Sequence, residues 1–239
     1  MRHTFCREVS NAVRFMDGVE TLKARGAVES SWMLVEAEPG LGKSSMFEWY
    51  SVQEDVPLVR AKADWTVNWM LKDVSAALGI EAKSSSKANY EQIISELMNG
   101  EQLLMVDEIN HAARRLVVIE TLRDITDMTQ TMLLTGGHKG TLSVLKPHKQ
   151  IYDRIGNVVE LEVASIADIK ALCRTRCEVE ITDEVIAEIH QQTGGNHRRV
   201  MNAIARVEAL GRRRREAVTL PMLKGLRLTH DNRARGASA

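Results

Sequence analysis

Trp32-Met33-Leu34-Val35-Glu36-Ala37-Glu38-Pro39-Gly40-Leu41-Gly42-Lys43-Ser44 is the stretch whose reading decides the fold. Its first six residues form a short, mostly apolar run, as in a buried strand. Glu38 to Gly42 then break the run as a tight loop, and a helix is expected from Lys43 onward. From Ala37 the segment fits G-x-x-x-x-G-K-[ST] except at its first position, where alanine replaces glycine. Each remaining part has a physical task. Gly40 and Gly42 can take backbone angles that let successive N–H groups curl around a phosphate, and the following helix points its positive end at the same anion. Lys43 adds a full charge for β- and γ-phosphates, and the Ser44 hydroxyl suits Mg²⁺, a hard ion that takes few protein ligands. The expected nucleotide contacts are Glu38, Pro39, Gly40, Leu41, Gly42, Lys43, Ser44 and Ser45.

Further along the chain, strand and helix signals alternate. Strands are expected at residues 56–61, 102–106, 131–135 and 158–163, with helices at 67–78, 88–98, 113–127 and 140–154 between them. Asn99-Gly100 reads as a helix stop, and one helix, 9–25, precedes the first strand. Five strands joined by helices imply an α/β fold with a parallel sheet covered on both faces. Beyond about residue 164 only helix signals recur. Ser165-Ile166-Ala167-Asp168 and Thr182-Asp183-Glu184 place caps and first-turn acids ahead of apolar stripes, and Asn196 can cap a third helix to about Gly211. A further helix is expected near Thr219-Leu220-Pro221. The organisation expected is an α/β nucleotide-binding domain over 1–163 and a small helical lid with a basic tail over 164–239.

The third strand ends in Asp107-Glu108. A carboxylate at the carboxyl end of a parallel strand lies beside the phosphate loop, where Asp107 can hold Mg²⁺ through its water shell and Glu108 can polarise an attacking water. By itself this is a strand ending in a solvated acidic turn; with the phosphate loop some sixty residues earlier, it reads as the second half of an ATPase site.

Composition narrows the class. The 239 residues are 44% hydrophobic and 27% charged, enough for a sizeable core. No run of 18 apolar residues and no apolar segment after Met1 appear, so a cytoplasmic protein with no membrane partner is expected. Cys6, Cys173 and Cys177 form no CxxC pair and suggest neither zinc nor a disulfide. A net charge of zero hides an asymmetry: residues 198–239 hold eleven Lys and Arg against three Asp and Glu, and residues 1–197 hold 21 against 29. A basic end on an acidic body suits a polyanionic partner.

The modified phosphate loop, the strand ending Val106-Asp107-Glu108-Ile109-Asn110, a fourth strand with a small polar end and a lid carrying Gly194-Gly195-Asn196-His197-Arg198-Arg199 together resemble AAA+ ATPases over residues 28–211. Within that superfamily, Asp107 to His111, Gln150 to Ile155 and the Gly-Gly-Asn-His-Arg-Arg segment look most like the ATPases of DNA transposition, the group containing the phage Mu B protein and the ATPase subunits of Tn7-like elements. The resemblance implies ATP hydrolysis, with Thr135 as the polar group between γ-phosphate and water (His138 is a second candidate), Arg154 reaching a neighbouring subunit's nucleotide, and Arg198 as the lid arginine (Arg199 is the fallback). It also implies a homo-oligomer, ring or filament, on double-stranded DNA, and a transposase as partner. The DNA-contact candidates are Lys62 and Lys72, after the second strand, and Arg212, Arg213, Arg214 and Arg215; a solvated helix end is the plainer account of the four arginines. An AAA+ loader or initiator of replication, or a signalling or secretion-associated ATPase, are the competing functions.

Overall fold

A computed structural model describes residues 1–99 and 103–229. Gly100 of the expected helix stop, Gln102 of the third strand and the tail from residue 230 lie outside the described residues. By packing, the chain forms two compact units. Among the described residues, one comprises Arg14–Pro39 and Lys43–Leu161; the other joins Met1–Val13 and Gly40–Gly42 to residues 162–229.

The larger unit is built on five strands, β1 (Trp32–Ala37), β2 (Leu58–Arg60), β3 (Leu103–Asp107), β4 (Met132–His138) and β5 (Ile155–Glu160), in the order β2-β3-β4-β1-β5. Every pairing is parallel. The helices are α1 (Ser10–Lys23), α2 (Lys43–Glu54), α3 (Val67–Ala77), α4 (Ser86–Asn99), α5 (Leu116–Thr129), α6 (Thr141–Leu145) and α7 (Lys149–Tyr152). All six residues of β1 are buried. Because successive side chains of a strand leave opposite faces, continuous burial means both faces are covered. Trp32 and Leu34 belong to the core formed with α3, α4 and α5. On α1 and α2, Phe15, Phe47 and Tyr50 are buried and pack ring against ring, with centroids 5.5–5.7 Å apart. Gly18 lets α1 approach the sheet closely: a Cβ there would fall 2.5 Å from Val159 and 3.1 Å from Met33. Burial of each such large side chain stabilises by about 1.5–3 kcal/mol.

The expected α/β class and five-stranded parallel sheet are found, with shifted boundaries. The fourth strand does not stop at Thr135. Gly136, Gly137 and His138 stay in register with Val35, Glu36 and Ala37, so β4 runs three residues further. The fifth begins at Ile155, where pairing with Trp32 starts. Pro147, which can neither donate a hydrogen bond nor follow a helical residue easily, separates α6 from α7 in the stretch read as one helix. A 3-10 turn, Ile109–His111, precedes α5 and delays its start to Leu116.

The smaller unit packs α8 (Ile166–Arg176), α9 (Asp183–Thr193) and α10 (His197–Arg214) around Ile169, Leu172, Val185, Ile189, Val200, Ile204 and Val207. The Thr219-Leu220-Pro221 start yields only a short 3-10 turn, Leu220–Leu223. Ser165 and Asp168 form the expected reciprocal cap of α8. The Asp168 carboxylate also accepts hydrogen bonds from the Ser10 backbone N–H at 2.6 Å and hydroxyl at 2.8 Å. Burial opposes its ionisation, but the bonds from Ser10 and Ser165 prevail and hold its pKa below the ordinary carboxylate value. Cys6, Cys173 and Cys177 are free and buried. Among the described residues no helix is long and apolar enough to cross a membrane.

Candidate active site

Parallel strands bring their carboxyl ends to one edge of the sheet, and the loops leaving β1, β3 and β4 carry the polar residues. After β1, Gly40 and Gly42 adopt φ of 85° and 94°, values a side chain would strain. Lys43 opens α2 and is 7% exposed. Its ammonium donates to Asp107 Oδ1 and lies 3.6 Å from Glu108 Oε1. Asp107, 1% exposed at the end of β3, also accepts the Glu108 backbone N–H at 2.8 Å on that same oxygen. Its other oxygen, Oδ2, is buried with no hydrogen-bond partner among the described residues. A buried carboxylate with one unsatisfied oxygen is costly unless something else engages it.

Glu108 has a left-handed backbone, φ 57° and ψ 34°. For a glutamate this costs about 1–2 kcal/mol, and Asp55, Gln130 and Arg215 share the conformation. The turn leaves the carboxylate partly exposed, with Oε2 3.5 Å from His138 Nε2. His138 in turn donates its backbone N–H to Asn110 Oδ1 at 3.2 Å. Lys43, Asp107, Glu108 and His138 thus form one cluster, with Asn110 holding its far side.

Gly136 makes room for it. A Cβ there would lie 2.7 Å from Asp107 Oδ1 and 3.1 Å from Lys43 Cδ. The sequence signals no such role, since the contact depends on which strands are neighbours. Arg60 is a second residue that the sequence does not single out: its Nη2 lies 4.0 Å from Asp107 Oδ2 and 3.1 Å from Glu48 Oε1.

The sequence matches no protein-family model, and no curated protein matches it. Solved structures do match. Cdc6p from Pyrobaculum aerophilum superposes with a TM-score of 0.69 at 12% identity, over 94% of this chain and 68% of that one. Domain III of the Thermotoga maritima replication initiation protein DnaA gives 0.58 at 16%, over 93% and 95%. The Thermotoga maritima RuvB Holliday junction branch migration motor gives 0.58 at 17%, over 91% and 68%. The fold is that of the AAA+ ATPases. The likeness is one of fold, and the chain spans about two thirds of the Cdc6p and RuvB chains.

On this AAA+ frame the remaining residues from the sequence fall as follows. Thr135 sits inside β4, 2% exposed, and its hydroxyl donates to the Met33 carbonyl at 3.0 Å. Ser44 is half-buried and Ser45 exposed in the first turn of α2; Glu38 and Pro39 are exposed and Leu41 is buried. Arg154 makes a two-pronged ion pair with Asp127, at 2.7 and 2.9 Å, in the last turn of α5. In the smaller unit, the Arg198 backbone N–H donates to the Gly40 carbonyl at 2.9 Å. Its side chain is exposed, as is that of Arg199, at the start of α10, where Asn196 caps the helix. Lys62 pairs with Asp73 and lies 4.9 Å over the Trp69 ring, while Lys72 is exposed on α3. Arg212 to Arg215 are exposed at the end of α10, Arg212 being 3.6 Å from Glu178 and Arg214 3.9 Å from Glu216.

Proposed function

We propose that this chain hydrolyses ATP with Mg²⁺ and acts on double-stranded DNA as an assembly of its own copies, recruiting or activating a transposase. The observation that carries the ATPase reading is the buried Lys43–Asp107 pair with Glu108 beside it, at the carboxyl ends of parallel strands next to a phosphate loop. Lys43 is held by Asp107 until a stronger anion arrives; the β- and γ-phosphates of ATP are that anion. Glu108, kept by its backbone turn out of the sheet and partly exposed, accepts the proton of the attacking water as it adds to the γ-phosphorus and the bond to the ADP oxygen breaks. The polar neighbour of that water is assigned to His138 in preference to Thr135, whose hydroxyl is committed to Met33.

The residues fit a divalent cation. Asp107 Oδ2 is an unsatisfied buried oxygen, and Ser44 offers a hydroxyl. Among the described residues no group of three or more His, Cys, Asp or Glu can hold a metal, which suits an ion bound mainly by phosphate oxygens and water. Ser44 and Asp107 would hold Mg²⁺, which would supply charge neutralisation for the phosphate oxygens.

For assembly, Arg154 is assigned to the neighbouring subunit's nucleotide, exchanging Asp127 for the γ-phosphate, and Arg198 to the nucleotide of its own subunit. Lys62, Lys72 and Arg212 to Arg215 are assigned to DNA phosphates, where cations add salt-dependent affinity without reading sequence. The transposition reading rests on the Asp107-to-His111 and Gly194-to-Arg199 segments. A second reading, a loader or initiator of replication, is favoured by the neighbours: Aeropyrum pernix Orc1 was solved in complex with DNA, and a DnaA with AMPPCP and single-stranded DNA. Sedimentation with duplex DNA, with and without ATP, tests the common part. ATP-dependent co-sedimentation that ignores sequence and weakens steeply with salt supports the regulator; preference for one duplex sequence supports the initiator; no co-sedimentation under any condition removes both.

A further inference from the structure

β2 and β3 pair in parallel with Arg60 opposite Asp107, so their side chains leave the same face of the sheet. The Arg60 guanidinium stands between two carboxylates, 3.1 Å from Glu48 Oε1 on α2 and 4.0 Å from Asp107 Oδ2. The second distance is the informative one. Asp107 Oδ1 is already taken by Lys43 and the Glu108 N–H, and Oδ2 has no hydrogen-bond partner among the described residues. The Asp107 oxygen left without a partner therefore faces a positive charge.

We propose that Arg60 is a positioning residue that sets the divalent-cation affinity of the site. Its guanidinium, hydrogen-bonded to Glu48, stands 4.0 Å from Asp107 Oδ2 and competes by its charge with any cation that engages that oxygen. The device weakens cation binding, keeping the ion exchangeable until nucleotide phosphates add their own ligands. Arg60 and Glu48 are 57% and 61% exposed, so the effect is moderate and screened by salt.

This inference rests on the ATPase reading, and the experiment separates the two. Mn²⁺ affinity is measured by electron paramagnetic resonance in the presence of ATP for the parent and for Arg60→Gln, Arg60→Lys, Glu48→Gln and the Arg60→Gln/Glu48→Gln pair. Arg60→Gln is expected to tighten Mn²⁺ about two- to tenfold, and Glu48→Gln to loosen it about two- to fivefold. The double variant should behave like Arg60→Gln, because Glu48 acts only through the arginine, and Arg60→Lys should stay near the parent. Raising salt to about 0.5 M should shrink all these differences. Unchanged Mn²⁺ affinity in Arg60→Gln overturns the proposal, as does a loss of ATP affinity measured in EDTA, which would make Arg60 a phosphate ligand. A parent protein that binds neither ATP nor Mn²⁺–ATP removes the ATPase reading and this proposal together.

Discussion

Replacing Gly136 with alanine tests whether the Lys43–Asp107 pair is the fixed point of the site. The added methyl would lie 2.7 Å from Asp107 Oδ1, 3.1 Å from Lys43 Cδ and 3.1 Å from Phe47 Cζ. Carbon–carbon contacts are comfortable at about 3.5–4.0 Å, so these groups must retreat by about 0.5 Å or more. There is little room for it: Asp107 is 1% exposed, Phe47 0%, and β4 is held between β1 and β3. Overpacking of this kind costs about 1–3 kcal/mol, or about 2–10 °C in Tm for a chain of this size. Because the methyl presses on the two residues assigned to phosphate and cation, ATP affinity should fall at least about tenfold, more than the fold is weakened. Gly26→Ala is the control, since a Cβ there meets nothing within 4 Å, and its Tm should change by about 0.5 kcal/mol equivalent or less. Thermal unfolding and titration with a fluorescent ATP analogue read both effects. A Gly136→Ala protein with the parent's Tm and ATP affinity would refute the packing argument.

Lys43→Ala should abolish ATP binding, because the loop loses its full positive charge; isothermal titration showing parent affinity would sink the phosphate-loop assignment. Glu108→Gln should bind ATP normally while hydrolysis falls by about 10²-fold or more, checked by phosphate release. Arg154→Ala should leave a monomer that binds nucleotide yet builds no ATP-dependent oligomers on DNA; light scattering equal to the parent's would mean that the Asp127 pair is its whole role. Asp168 has a depressed pKa in the folded state, so its stabilisation is present above the unfolded value of about 4 and is lost as pH falls through the folded value. Asp168→Asn should therefore cost about 1–3 kcal/mol at neutral pH and lose less stability than the parent between about pH 5 and pH 3, measured by denaturant unfolding.

The alternation of apolar runs with helix signals was enough for the α/β class, since a continuous apolar run bounded by Gly and Pro can be satisfied only between two covering layers. The Gly40 and Gly42 turn, the Lys43 helix start, the Ser165–Asp168 cap and the Asn196 cap were legible for the same reason: each is set by a few neighbouring residues and the backbone angles they allow. Strand ends were less legible. Nothing in Gly136-Gly137-His138 marks it as strand; it is held extended by pairing with β1, a partner about one hundred residues away. Strand order was not legible at all, and it decides most of the candidate site. Only the β2-β3-β4-β1-β5 order sets Arg60 opposite Asp107 and Gly136 beneath the Lys43–Asp107 pair. The sequence by itself determined the phosphate-loop and strand-end groups of the site, because that chemistry is local; that Arg60 and Gly136 join them, which groups touch, and which oxygen of Asp107 is left unsatisfied came only from the tertiary packing of segments distant along the chain.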